Sequence, residues 1–366
     1  MRIKAIRISV QIISIIKCGG NGMNRIKYSE REYLCDYDLS LSFFNEAGIK
    51  VKDITPLRKV FLLSTDDGNK ILKKVNYGVE RIEFISDCLD YLKKNYKNII
   101  SYNKLKNNLN YIKWNDDIYI IMDILDGREA SFSNPIEIEL CAENIALMHK
   151  GSKGILQYMN NKYKKNFIDE SFKIKIKKML EDFEYMRSVA EKYRYKNEFD
   201  ILFLNNIDKY INEVKGVEEE LDKSQYDKLR NDYDNITVCH NDLAYHNFLI
   251  KNSEVNIIDF DYLTLDLRVC DISDFLLKAI KNSAFDIDKT ILVLNSYEKV
   301  SQLTKDEKDL IYIYLKFPRD FYSITRDYYF KRKKWSYDVY LNRLCNKLNN
   351  EPFREELICK YKNLVV

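Results

Sequence analysis

Between Ile236 and Asp261 the chain reads ITVCHNDLAYHNFLIKNSEVNIIDFD. This stretch carries a carboxylate at Asp242, a side-chain amide at Asn247 and a second carboxylate at Asp259. Such oxygens suit Mg²⁺, which takes few protein ligands and completes its shell with substrate phosphates and water. Phosphoryl transfer needs that metal and a carboxylate that orients the attacking hydroxyl, and needs little covalent help. Asp242 is accordingly the candidate base or hydroxyl positioner. Asn247 and Asp259 are the candidate Mg²⁺ ligands, with ATP as the phosphoryl donor. His240 would brace the loop, while His246 stands near the acceptor or in solvent.

Three short apolar runs must position these groups. Ile236–Cys239, Phe248–Ile250 and Val255–Ile258 read as buried strands. The first delivers Asp242 at the start of a polar loop, Asn247 closes that loop, and a hairpin return carries Asp259 to the same edge. A polar hairpin with a capping Asp and Asn is the plain alternative, because both residues are common in turns. The ordered set is much harder to obtain by chance. His240 to Asn247 matches the kinase catalytic-loop pattern H-x-D-L-x-x-x-N, and Asp259-Phe260-Asp261 stands where kinases carry D-F-G.

On these residues the stretch resembles the aminoglycoside phosphotransferase and choline kinase branch of the kinase-like fold. That branch has H-G-D, then N, then a strand ending in I-D-F or I-D-W. The text IIDFDYLTLDLRVCDISDFLLK, from Ile257 to Lys278, further resembles spore coat proteins of the CotS type. The similarity runs from about Met23 to the C-terminus and is densest over Cys239–Phe275 and Phe317–Trp335. It implies an α+β, two-lobed protein-kinase-like fold of the aminoglycoside phosphotransferase kind. The small β-rich N-lobe would span 23–127 and the large, mostly helical C-lobe 128–366. It also implies a bacterial endospore coat protein, made in the mother-cell cytoplasm, whose partners are other coat proteins and a small-molecule acceptor. Asn241 departs from the pattern, since the wider family often has Gly there.

Upstream residues would complete a nucleotide site. Lys50–Ile54, Lys59–Thr65 and Asn69–Val75 read as strands, with Asp66-Asp67-Gly68 turning between the last two. Lys73 matches the strand lysine of V-A-I-K that pairs with the α- and β-phosphates; the plain alternative is an edge-strand lysine. The next helix has the apolar stripe Ile82, Ile85, Leu89 and Leu92. Glu80 is the candidate partner of Lys73, although it lies off that stripe. Thr55-Pro56-Leu57-Arg58 stands in place of a glycine-rich loop, so the backbone there approaches phosphates less freely. Tyr111–Trp114 and Ile118–Leu125 form a second hairpin. Asp123 to Leu125 would offer main-chain groups to adenine, with Met122 behind them or simply in the core.

Helices dominate the rest. Asn134-Pro135 opens one with Leu140, Ile145, Leu147 and Met148 on its buried side. Phe167–Tyr193 and Glu198–Leu221 are long and amphipathic. Asp271 would cap a helix from Ile272, and by resemblance would hold the catalytic-loop backbone. Asp266 and Arg268 would form a surface ion pair of little worth. The short path from Asp259 to this helix excludes the long activation segment of a protein kinase. The aromatic and basic block Phe317 to Trp335 reads as a surface for RNA or membrane contact, since basic and aromatic residues together can serve as a stacking platform, or, more simply, as a helix with tyrosines inward and lysines in water.

The 366 residues are 46% hydrophobic, enough for a large core, and their net charge of +4 builds no strong field for nucleic acid. No nucleic-acid partner is expected. The eight cysteines lack C-x-x-C spacing, which speaks for reduced thiols and against zinc. The run Ile8–Ile16 is too short to span a membrane, and no transmembrane segment is expected. Residues 1–22 read as a non-essential extension ahead of a start at Met23. A helix from Ser29 to Ala47, with Glu32 completing a capping box, would end at Gly48.

Overall fold

The structure is a computed structural model and describes residues 39–57, 60–159, 163, 168 and 170–364. The run Ile8–Ile16, the start at Met23, the Ser29–Glu32 capping box, Arg58 and the start of the helix expected from Phe167 lie outside these residues. In chain order, α1 (Leu41–Ala47) leads into β1 (Val51–Leu57), β2 (Val60–Thr65) and β3 (Gly68–Val75). Then come α2 (Val79–Leu92), β4 (Ile112–Trp114), β5 (Asp117–Asp123), β6 (Arg128–Glu129), α3 (Pro135–Gly151) and α4 (Ile155–Tyr158). Three helices follow, α5 (Phe172–Lys192), α6 (Glu198–Lys223) and α7 (Tyr226–Asn231). The loop-bearing strands are β7 (Ile236–Cys239), β8 (Phe248–Lys251), β9 (Glu254–Ile257) and β10 (Thr264–Leu267). The chain closes with α8 (Val269–Ile280), α9 (Ile287–Glu298), α10 (Lys305–Lys316), α11 (Arg319–Tyr329) and α12 (Tyr337–Leu364).

Packing groups these residues into two compact units, one reaching Tyr163 and including Ala244–Leu263, the other formed by 164–243 and Thr264 onward. Their limits differ from the 23–127 and 128–366 lobes drawn from the sequence. The reason lies in the β8–β9 hairpin: Ala130 N–H donates to the Phe248 carbonyl, and Ile257 bridges to Ile99.

The first unit is built on an antiparallel sheet in the order β1-β2-β3-β5-β4. Period-two alternation sends Phe61, Leu63, Leu72, Tyr119 and Ile121 to one face, where they bury Phe43, Phe44 and Ala47 of α1. Phe43 meets Phe44, Trp114 and Tyr119 edge-on, with centroids 5.0, 5.7 and 5.2 Å apart, a favourable arrangement of ring quadrupoles. The α2 stripe Ile82, Ile85, Leu89 and Leu92 is buried as its spacing requires.

Local differences from the sequence reading have physical causes. Helix α1 begins at Leu41, because Ser40 is extended (φ −87°, ψ 169°). Gly48 ends it at φ 74°, where an added Cβ would stand 2.6 Å from Lys106 Cβ. Strand β1 continues through Thr55 and Pro56, which pair with Leu62 and Phe61; β1 lies at the sheet edge, where a residue without an N–H is tolerated. In α3 the buried positions are Ile138, Cys141, Ala142, Ile145 and Met148. Leu147 points away and is 43% exposed.

In the second unit the expected stripes of α5 (Phe172, Ile176, Met179, Phe183, Met186) and α6 (Phe203 to Val217) are buried. The aromatic and basic block packs inward: Phe321 stacks on Tyr210 at 3.7 Å, while Lys331 to Lys334 face solvent. Strands β7 and β10 pair antiparallel. Asp266 bonds Arg230 instead of Arg268, and Arg268 pairs with Glu307 at 2.6 Å. The Cys88, Cys141, Cys239 and Cys270 thiols are buried and free. Among the described residues no helix is long and apolar enough to cross a membrane.

Candidate active site

In the first unit the sheet and the 246–261 stretch line a pocket of about 370 Å³. Leu57, Val60, Ile71, Met122, Leu249 and Ile258 form an apolar wall, with Leu125 at the 123–129 connection. Lys73, Asp123, Asn247, Asp259 and Asp261 bring in polar atoms. An apolar concavity with a few convergent polar groups is the usual form of a small-molecule site. Leu72 is in the core, so its neighbours Ile71 and Lys73 take the other face of β3 and line the pocket.

Lys73 Nζ lies 2.7 Å from Asp259 Oδ1 and 2.7 Å from Asp261 Oδ2. Burial alone would push the ammonium down, but the Asp259 and Asp261 carboxylates outweigh it and hold Lys73 above the ordinary lysine value. The expected partner Glu80 is exposed on α2, and the carboxylates at Lys73 come from the loop instead. Asp259 adopts φ 67°, a left-handed conformation that Asp accepts more readily than most residues. Asn247 is buried, and its carbonyl accepts from Ile258 N–H at 3.0 Å, which ties the loop's end to the residue before Asp259.

Asp261 is the residue that sequence reasoning passed over. Its Oδ1 accepts from the Tyr77 hydroxyl at 2.9 Å, and Arg81 Nη2 donates to the carbonyls of Asp261 (3.0 Å) and Leu263 (2.6 Å). Burial, then Tyr102 and Asp261, push the Tyr77 hydroxyl well up, so it stays a proton donor. The signal for Asp261 was its place two residues after Asp259; nothing local marks Tyr77 or Arg81. At the other end, Asp123 accepts from Lys70 Nζ at 2.8 Å. Burial would raise the Asp123 carboxyl, but hydrogen bonds from Lys70 and Asn103 hold it below its ordinary value.

Asp242 belongs to the second unit, because the division falls between Leu243 and Ala244. Asp242 N–H donates to His240 Nδ1 at 3.2 Å. Asp271 accepts from the amides of His240 (2.7 Å) and Asn241 (2.8 Å). It is therefore the clamp on the loop and not a helix cap: α8 starts at Val269, ahead of it. Asn241 stands at φ 62°. Asn is among the side chains that accept this left-handed region, which answers the departure from Gly. Lys278 Nζ lies 2.7 Å from Asp242 Oδ1 and 2.8 Å from Asp274 Oδ2. Lys278 was not singled out from the sequence, although Asp274 and Lys278 are an i,i+4 pair in plain view.

A five-stranded antiparallel sheet followed by a large helical part, with this loop and this pocket, defines a kinase-like fold of the aminoglycoside phosphotransferase kind. Solved structures agree. An aminoglycoside phosphotransferase from Alicyclobacillus acidocaldarius superposes with a TM-score of 0.76 at 15% identity, over 89% of this chain and 96% of that one. The spectinomycin phosphotransferase APH(9)-Ia, crystallised with ADP and spectinomycin, superposes with a TM-score of 0.58 at 15% identity, over 90% and 94%. The family described as "Spore coat putative kinase YutH" matches residues 44–361, and the chain belongs to it. Spore coat protein S of Bacillus subtilis (strain 168) is 26% identical over 319 residues, 84% of this chain and 88% of that protein.

Proposed function

We propose that the protein is a spore-coat-associated phosphotransferase that moves the γ-phosphoryl group of ATP to a hydroxyl of a small molecule. The observation that carries this reading is the pocket of about 370 Å³ whose wall includes Lys73, Asn247 and Asp259 together. Its polar end offers amide and carboxylate oxygens, a donor set that fits Mg²⁺. Bound there, MgATP supplies the phosphoryl group and neutralises its charge. The apolar wall and the main chain at 123–125 hold the base, Lys73 faces the phosphates as a cation, and Asn247 and Asp259 offer oxygens to the metal. Asp242, whose Oδ1 meets Lys278 Nζ at 2.7 Å, orients the acceptor hydroxyl and takes its proton. The acceptor oxygen bonds to the γ-phosphorus as the bond to the β–γ bridging oxygen breaks, and ADP leaves with that electron pair. The ADP-bound relative supports nucleotide use, and the family supports a place in the coat, among other coat proteins, after synthesis in the mother-cell cytoplasm.

A structural coat component without turnover is the second reading, favoured by the absence of glycine from Val51 to Thr65. Replacing the native gene with Asp242→Asn in a spore-former tests both. A variant that assembles but leaves the coat defective supports the enzyme. Full rescue of a deletion strain by the variant supports the structural reading. Wild-type protein that never reaches the spore would replace both with a cytoplasmic small-molecule kinase.

A further inference from the structure

Beside the catalytic loop, the second unit contains a recess of about 90 Å³ lined in part by Phe172, Lys175, Asn241, Asp274, Tyr314 and Arg319. Phe172 and Tyr314 stack at 4.0 Å and form an aromatic floor. Asn241 is the chain neighbour of Asp242, and Asp274 reaches Asp242 through the shared Lys278 ammonium.

The charge balance of this recess is the informative feature. A cationic acceptor needs carboxylates to receive it. The carboxylate in the recess, Asp274, is already met by Lys278 and, at 3.7 Å, Arg319, and Asp242 beyond it by Lys278. Asp271, behind the loop, spends its oxygens on the His240 and Asn241 amides. Arg319 is less fully engaged. Arg319 Nη2 is buried and has no hydrogen-bond partner among the described residues, while a third of the side chain stays accessible. A buried donor left in that state requires an explanation, and a guanidinium fork matches carboxylate and phosphate oxygens.

We infer that this recess binds the anionic group, phosphate or carboxylate, of a hydroxyl-bearing acceptor, with Arg319 and Lys175 as its ligands. The inference rests on Asp242 being the acceptor-side carboxylate, as proposed above. It turns the acceptor class away from amines: Lys278 and Arg319 neutralise the carboxylates that an ammonium would use, and they favour an acid that presents its hydroxyl toward Asp242.

Calorimetric titration of the full chain with inorganic phosphate, acetate and choline as separate probes tests it. Phosphate should bind, and Arg319→Ala should weaken it about tenfold, the loss of one charged hydrogen bond. Arg319→Lys should restore most of the affinity, and choline should not compete. Acetate with the same dependence on Arg319 would extend the site to carboxylates; phosphate alone would confine it to phosphates. Lys175→Ala gives a second loss if Arg319→Ala fails to fold. No phosphate binding, unchanged binding in both alanine variants, or choline binding more tightly than phosphate would overturn the inference. MgATP titration of the same proteins reports the kinase reading separately: Arg319→Ala should keep its MgATP affinity. Phosphate binding that depends on Arg319 in a chain that ignores MgATP would sink the kinase reading and leave the anion site standing.

Discussion

Lys73 in the first unit and Lys278 in the second are held by the same device, an ammonium bracketed by two carboxylates. Lys73 has Asp259 and Asp261, each at 2.7 Å, and Asp259 lies 186 positions along the chain. Lys278 has Asp274, one helical turn away at 2.8 Å, and Asp242 at 2.7 Å across 36 positions. The second arrangement is half local: wherever α8 forms, Asp274 and Lys278 are neighbours. The first is wholly tertiary, since β3 and the turn at 259–261 must both be in place before any of its contacts exist. The proposed nucleotide pocket should therefore respond to global stability, and the proposed acceptor-side carboxylate Asp242 to the state of one helix and one loop.

The largest expected effect would break this comparison on the acceptor side. Asp242→Asn should lower phosphoryl transfer, read as ADP release, by about 10²–10⁴-fold, the usual share of a positioned acid or base. MgATP should still raise its melting temperature as in the wild type. Joint loss of both would mean that the two sides are not separable.

The next effect isolates the nucleotide side. At a hundredfold excess of MgATP over its Kd, linkage predicts about 2.7 kcal/mol of stabilisation for the wild type. Asp259→Ala should show almost none of it while keeping a native circular dichroism spectrum. An undiminished shift would count against Asp259 as a metal ligand.

A smaller effect compares the two lysines directly. Lys73→Met leaves Asp259 and Asp261 without their cation and should cost about 1–2 kcal/mol in urea unfolding at pH 7, discounted for their partial exposure. Lys278→Met should cost less, because Asp274 keeps Arg319. The pH dependence has a definite sign. Lys73 has a raised folded-state pKa, so its contribution is complete below the unfolded value of about 10.4 and is lost as pH rises through the folded value. Wild type and Lys73→Met should converge in stability at strongly alkaline pH. A gap that widens there would reverse the assignment.

The smallest effect is a control at the pocket's outer end. The Lys70–Asp123 pair has Asp123 58% exposed, and Lys70→Ala should cost about 0.2–1 kcal/mol and leave MgATP binding unchanged. A loss of binding as large as that of Asp259→Ala would move the site's electrostatic centre to Asp123.

Much of this architecture is legible in the chain because its causes are local. The stripes of α2, α5 and α6 follow the helical period, and the Asp66-Asp67-Gly68 turn follows from glycine's freedom at φ 103°. Asp242, Asn247 and Asp259 stand out because phosphoryl transfer needs those groups in that order. Elsewhere, local rules misled. Leu147 fits an apolar count but falls on the wrong side of α3, and Pro56 marks a loop only until β1 is known to be an edge strand. Asp271 has the composition of a cap, yet the two loop amides of His240 and Asn241 claim its carboxylate.

Residue type and spacing alone singled out the loop from His240 to Asn247, the strand–helix order and Lys73 as a candidate, since each depends on covalent neighbours and periodicity. Tertiary structure decided who partners whom. Asp261 replaces Glu80 at Lys73, Lys278 meets Asp242, Arg230 takes Asp266, and Arg319 is left with a buried donor unmatched among the described residues. An ion pair depends on separations of a few ångströms among groups that the chain keeps far apart, and Coulomb energy falls with distance in space, whatever the distance in sequence.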